Sequence, residues 1–172
     1  MQGRTGGIKI NTAYLALGSN KWDRIAFLKK AVEFISAENK IIKTSSVYET
    51  KAYGKKDQAD FLNAVIIITT EKNALELFYH IKDIEKKTGR TASERWGERE
   101  IDIDILFFND IIIKNKIITI PHQGMAERDF VLVPLKEISP EFIHPLLKKT
   151  PEELIKKLTE KNIIRIFPER II

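Results

Sequence analysis

Two aspartates stand two residues apart in the segment Ile101-Asp102-Ile103-Asp104-Ile105. On a strand, alternate side chains share a face, so Asp102 and Asp104 point together while the three isoleucines point into a core. Neighbouring carboxylates repel and are costly to hold unless cations sit between them. Hard oxygen ligands of this kind suit Mg²⁺, which completes its shell with water and substrate phosphate. The same spacing also fits an ordinary alternating strand with a wet acidic face. Just upstream, Arg90 to Arg99 holds Arg90, Arg95 and Arg99 and no lysine, in a chain where lysine far outnumbers arginine. Arginine's planar fork grips phosphate oxygens in pairs; a solvated basic loop is the bland alternative. Arginines beside a carboxylate pair are what phosphoryl transfer needs, because its transition state spreads charge over phosphate oxygens. No P-loop pattern occurs, so side chains rather than a backbone cradle must hold the phosphates.

Other residues suit the surroundings of such a centre. Trp96 either covers a base, packs on an arginine or anchors its loop. His122 follows Pro121, with Arg128 further on, and reads as a phosphate hydrogen-bond donor. The chain has no cysteine and no HExxH pattern, which argues against zinc, and His80 and His144 read as structural. Phe61 and Asn63 alternate at the start of an apolar strand and so share a face. An asparagine amide there can donate and accept along the edge of a flat heterocycle that Phe61 stacks upon. A strand-end asparagine bonded to its own loop is an equal reading.

The elements that must position these groups follow from periodicity. Thr12 to Leu17 reads as a buried strand ending at Gly18-Ser19-Asn20. A helix follows from Trp22 to about Ile35, carried by Ile25, Leu28, Val32 and Ile35. Ile41 to Tyr48 is strand-like, Lys51 to Asp60 a polar loop, and Phe61 to Thr70 a β-branched strand buried on both faces. Asn73 caps a second helix that stops at Gly89. A strand from about Glu100 to Phe108 leads to a hairpin of Ile111 to Ile113 with Ile117 to Ile120. The section after Pro121 is less regular. Thr150, Pro151 and Glu153 announce a short helix, and Ile163 to Phe167 a final strand. The expected fold is α+β: a ferredoxin-like βαββαβ core with an antiparallel sheet, helices on one face, and a C-terminal extension. Residues 1–11 read as a flexible lead-in and 12–172 as a single domain.

Bulk composition narrows the partners. The chain has 172 residues, 43% hydrophobic and 31% charged, within the range of ordered globular domains. Net charge is +5, which favours an anionic partner: a nucleotide, a nucleic acid or a membrane surface. The apolar runs are too short to span a bilayer and no secretion signal stands near Met1, so the expected location is cytoplasmic.

Several blocks recur together and in order: Tyr14-Leu-Ala-Leu-Gly-Ser-Asn20, Ser45-Ser-Val-Tyr-Glu-Thr50, Phe61-Leu-Asn-Ala64, Gly89-Arg90, Arg95-Trp-Gly-Glu-Arg99, Asp102-Ile-Asp104, Pro121-His122 and Arg128-Asp-Phe130. In these, over roughly Ala13 to Pro145, the chain resembles the 6-hydroxymethyl-7,8-dihydropterin pyrophosphokinases. The resemblance implies two Mg²⁺ ions bridged by Asp102 and Asp104, ATP as co-substrate, and transfer of diphosphate to the pterin hydroxymethyl group with release of AMP, a step of folate biosynthesis. It implies that Arg90 and Arg99 act with the aspartates on the moving phosphates. Glu85, Arg95, Trp96, Arg99, Ile105, Thr119, His122 and Arg128 match positions on the ATP side. Thr50, Ala52, Tyr53, Phe61, Asn63, Trp96, Asp102 and Phe130 match positions on the pterin side. The segments Gly18 to Asp23, Lys51 to Gln58 and Arg90 to Glu98 match loops that close during the cycle. No nucleic acid or membrane partner is implied, and the protein is expected as a monomer or weak homo-oligomer.

The chain departs from that pattern at Lys51, where proline usually follows the threonine, and at Glu98, which replaces another proline. The arginine loop is shorter than in some members and lacks a second basic residue near Ala92, and Gln123 stands where an aromatic or proline is common. None of these touches the aspartate pair or Asn63. The rival reading is a ferredoxin-like nucleic-acid or nucleotide-binding module without catalysis. Such modules carry stacking aromatics with basic residues on the open sheet, whereas these strands carry isoleucine and aspartate.

Overall fold

Asn11–Ser19 forms β1, whose alternation puts Ala13, Leu15 and Leu17 fully inside. The computed structural model describes residues 9–54, 57–92 and 97–172. β1 is central. It pairs antiparallel with β4 (Phe61–Thr70), from Asn11 opposite Thr70 to Ser19 opposite Leu62. On its other side it pairs antiparallel with β5 (Asp102–Phe108), ending with Gly18 opposite Asp102. This register sets Gly18 between Asn63 and Asp102, so three short stretches of chain meet at one end of the sheet.

The strand expected from Ile41 to Tyr48 is two strands. β2 (Lys40–Thr44) pairs with the far end of β4, and β3 (Tyr48–Thr50) with its near end. The break has a visible cause. The Ser45 hydroxyl accepts from Val65 N, and Ser46 donates both its N–H and its hydroxyl to the Glu137 carboxylate, which turns the chain out of the ladder. The final strand, β8 (Ile163–Ile166), pairs antiparallel with β3 and closes the order β5-β1-β4-β3-β8. The hairpin is present in reduced form as β6 (Ile113–Lys114) and β7 (Thr119–Ile120).

Helices α1 (Arg24–Glu38) and α2 (Ala74–Thr88) cover one sheet face, burying Leu28, Val32 and Ile35 with Leu77, Ile81 and Ile84 against Leu15, Leu17 and Ile66. α2 begins at a capping box between Asn73 and Glu76 and stops at Gly89, whose φ of 116° is open to glycine at no steric cost. The second face is covered as well, which corrects the expectation of helices on one face only. α3 (Asp129–Ile138) and α4 (Pro151–Ile155) lie over Val65, Ile67 and Phe107. β4 requires this, because Val65 and Ile67 alternate with Ile66 and Ile68 and neither set can face water. α3 lies in the section expected to be irregular: Pro134 sits inside it and its N-cap, Arg128, makes no side-chain cap bond. Asn11, expected in the lead-in, belongs to β1; it is buried, its Nδ2 donates to Lys72 O, and it receives Asn109 Nδ2. Among the described residues, no helix is long and apolar enough to cross a membrane.

Candidate active site

The start of β5 carries Asp102 and Asp104 on one face while Ile101, Ile103 and Ile105 are buried on the other. Asp102 is held by two arginines: Arg90 Nη1 lies 2.8 Å from Oδ1 and Arg99 Nη1 2.8 Å from Oδ2. Arg90 is itself aimed by Glu85, whose Oε1 is 2.6 Å from the same Nη1. Glu85 is buried on α2 and accepts Ile103 N at 2.7 Å and Lys82 Nζ at 3.0 Å. Burial pushes its carboxyl pKa up, against the pull of Lys82 and Arg90. Glu85 therefore fixes Arg90 and the β5 backbone from behind, and it lines neither of the two concavities at this end of the sheet.

Burial, and then the neighbouring Asp102 charge, raise the pKa of Asp104. A buried carboxylate beside a second one is costly to keep charged. His122 Nε2 stands 3.5 Å from Asp104 Oδ2, and its backbone N–H donates to Leu106 O at 3.0 Å. His122 Nδ1 is buried with no partner among the described residues.

Two concavities adjoin here, and Asp104 and His122 line both. The first is walled by Phe61, Asn63, Thr50, Tyr53 and Phe130, with Arg99, Asp102 and Arg128 at its polar side. Asn63 Nδ2 donates to Thr50 Oγ1 at 2.8 Å, which fixes the amide plane. The Tyr53 and Phe130 rings are 5.9 Å apart, and the Arg128 guanidinium lies 5.4 Å from the Tyr53 ring centre. The second concavity is mostly apolar, with Phe78, Ile103, Ile105 and Ile118 against Lys82 and Thr119. Thus Ile105, Thr119 and His122 fall together on one side, and Thr50, Tyr53, Phe61, Asn63 and Phe130 on the other. Ala52 is buried and lines neither concavity. Arg95 and Trp96 lie outside the described residues.

Two residues that tie the site together gave little signal in the sequence. Asn20 is buried; its Oδ1 accepts Arg99 N at 2.9 Å, and its Nδ2 donates to Gln58 Oε1 and Ala59 O at 3.1 Å. It joins the first loop to both others. Glu100, fully buried, receives Lys21 Nζ at 2.6 Å and the Thr91 hydroxyl at 2.9 Å. Burial raises its carboxyl, but the bonds from Lys21, backbone N–H groups and Thr91 outweigh that and bring its pKa to about 2. Asn20 stood in the sequence only as the end of a strand and of a family block, and only the folded chain brings Lys21 and Thr91 to Glu100.

In donor chemistry the pair suits a hard cation. Asp102 and Asp104 offer carboxylate oxygens on one face, and the remaining ligands would be phosphate and water. Among the described residues, no group of three or more histidine, cysteine or carboxylate side chains forms a self-contained metal cage.

The sequence model of the family described as 7,8-dihydro-6-hydroxymethylpterin-pyrophosphokinase matches residues 14–140. The chain is 44% identical over 156 residues to a 2-amino-4-hydroxy-6-hydroxymethyldihydropteridine pyrophosphokinase of Aquifex aeolicus, covering 91% of this chain and 95% of that one. It is 46% identical over 162 residues to the protein of the same name from Bacillus subtilis, covering 93% and 92%. Among solved structures, it resembles Plasmodium falciparum HPPK-DHPS with pteroate, with a TM-score of 0.70 and 20% identity. That likeness covers 87% of this chain and 44% of the malarial chain, so this chain spans less than half of that protein.

Proposed function

The chain belongs to the 7,8-dihydro-6-hydroxymethylpterin-pyrophosphokinase family, and from that membership we infer that it transfers diphosphate from ATP to the hydroxymethyl group of 6-hydroxymethyl-7,8-dihydropterin in folate biosynthesis. The hydroxymethyl oxygen bonds to the β-phosphorus, and the bond from that phosphorus to the α-bridging oxygen breaks. AMP leaves with the bridging oxygen, and the hydroxyl proton is lost to solvent. The observation that carries this reading is the junction of two concavities at Asp104 and His122. A bisubstrate transfer needs its reacting centre there, with one substrate on each side.

Each side chain then has a task that its position supports. Phe61 and Phe130 hold the pterin ring, and Asn63, braced by Thr50, reads its edge. Arg90 and Arg99 meet the migrating phosphates, exchanging a bond with Asp102 for one with phosphate oxygen. His122, at the junction, steadies the nucleotide phosphates, and Ile105 and Thr119 line the slot for the base. Arg128, which lines the first concavity beside Tyr53 and Phe130, is assigned to the phosphates by the family match alone. Asp102 and Asp104 would hold Mg²⁺, two ions in the full complex. When bound, the metal neutralises phosphate charge and orients the chain for in-line displacement. Arg95 and Trp96 are assigned to the closing loop by the family match alone.

The strand order, with β2 and β3 together taken as the second core strand, supports a ferredoxin-like core extended by α3, α4 and β8. Residues 12–172 are read as one domain, cytoplasmic, and a monomer or weak homo-oligomer. A nucleic-acid module has no need for a paired carboxylate face, and that reading is not favoured. The deciding experiment measures AMP and ADP released from ATP and Mg²⁺ with and without the pterin. Pterin-dependent AMP without ADP supports diphosphate transfer; no AMP from folded protein refutes it.

A further inference from the structure

We propose that Asp129, through Asn162 at the entry to β8, is a positioning residue that sets the width of the pterin pocket. Asp129 begins α3, between Arg128 and Phe130, and is buried at 4% exposure. A buried carboxylate must be satisfied, and this one is, mainly by distant chain. Its Oδ2 accepts Asn162 N at 2.6 Å and Ile163 N at 2.9 Å, and its Oδ1 accepts Phe130 N at 2.8 Å and Asn162 Nδ2 at 3.4 Å.

Asn162 faces the other wall as well. Its carbonyl accepts Lys51 N at 2.9 Å, directly after Thr50, the residue that orients Asn63. One residue of the C-terminal segment is thus bonded to both sides of the pocket: Lys51 and Thr50 on the β3 side, Asp129 and Phe130 on the α3 side. β8 continues the brace by pairing Thr50 with Ile163, and by the ion pair of Arg165 with Glu49 at 2.7 Å. The distance between the edge reader Asn63 and the ring face of Phe130 is therefore set by a segment that lines neither concavity. Charge-assisted bonds from backbone N–H groups are short and directional, which suits them to fixing such a gap.

The inference rests on the reading of Phe130 and Asn63 as pterin contacts, and the test separates the two. KM for pterin and for ATP, with kcat, would be measured by AMP release for wild type, Asp129→Asn, Asn162→Pro and Phe130→Ala, each checked for folding by circular dichroism. Asp129→Asn cannot accept on both oxygens. It is expected to raise the pterin KM about tenfold, the size of one lost charge-assisted bond, while the ATP KM stays within about twofold. Asn162→Pro removes the shortest bond and, with the amide, the long 3.4 Å one, and leaves those from Ile163 N and Phe130 N in place, at a strand entry that tolerates proline. Its expected rise is about threefold, and it decides the question if Asp129→Asn does not fold. An unchanged pterin KM in the folded brace variants, or an equal rise for ATP, overturns the brace while Phe130→Ala still weakens pterin. If Phe130→Ala leaves the pterin KM unchanged, the pocket assignment itself falls.

Discussion

Arg99 Nη1 lies 2.8 Å from Asp102 Oδ2, on the carboxylate oxygen opposite the one that Arg90 takes. Both oxygens of Asp102 are thus engaged by arginines, whereas Asp104 has the His122 ring at 3.5 Å and the charges of Lys82 and Arg128 acting on it. The two carboxylates are unlike in the free protein although they share a strand face. On the proposed function, arriving phosphates would offer the arginines an alternative partner and so would free Asp102 for a metal ion. Asp102→Ala and Asp104→Ala are each expected to lower turnover by at least ~10² to 10³, the scale of losing a main electrostatic stabiliser. AMP release by folded protein at saturating substrates is the check. Near-normal turnover in both variants would remove the carboxylate pair from the reaction.

Asn63→Ala is expected to weaken pterin binding by about 10- to 100-fold, as when one or two specific hydrogen bonds are lost, with ATP binding changed by less than about threefold. The asymmetry follows from position: Asn63 lines only the first concavity, bonded to Thr50. Calorimetry with each ligand separately is the measurement. Equal weakening of both would mean that the two concavities are not the two substrate sites.

The aspartate pair and the alternation of Phe61 with Asn63 could be read from the sequence because a strand has period two and those residues are local to it. The N-cap at Asn73 and the stop at Gly89 were legible because they too are local. What escaped depends on contacts across the chain. Glu137 captures Ser46 over 91 residues and splits the expected strand, and α3 carries an internal proline with no capping side chain. Asn20 and Asp129 look ordinary in sequence; the bonds that matter reach Arg99, Ala59 and Asn162, which only the folded sheet brings near.

Glu100 ties Lys21 to Thr91 from a fully buried position, with its pKa brought to about 2. A carboxyl whose pKa is lower in the folded chain than in the unfolded chain leaves the unfolded state holding more protons, so stability rises with pH between the two values. The contribution is complete above the ordinary carboxyl value of 4.5 and is lost as pH falls towards about 2. Glu100→Gln should cost ~1–3 kcal/mol near neutral pH, the range for a lost hydrogen bond to a buried charge. In urea titrations the gap between wild type and variant should narrow from about pH 6 to about pH 3. A gap independent of pH would mean that the carboxylate charge is not what holds the two loops together.

Gly18 stands in β1 opposite both Asn63 and Asp102, and a Cβ placed there would lie 2.8 Å from Asn63 Oδ1. The obstructed atom is a side-chain tip, so the fold can give way by turning the amide, and little stability need be lost. Turning it breaks the bond to Thr50 and re-aims the group assigned to the pterin edge. Gly18→Ala is therefore expected to act on recognition more than on stability. Pterin affinity should fall by about tenfold, equivalent to ~1.4 kcal/mol, while the midpoint of thermal unfolding moves by only a few degrees. Combining it with Asn63→Ala tests the route: if Gly18 acts through the amide, the double variant binds pterin no more weakly than Asn63→Ala alone. Additive losses would mean that the added methyl obstructs the ligand directly.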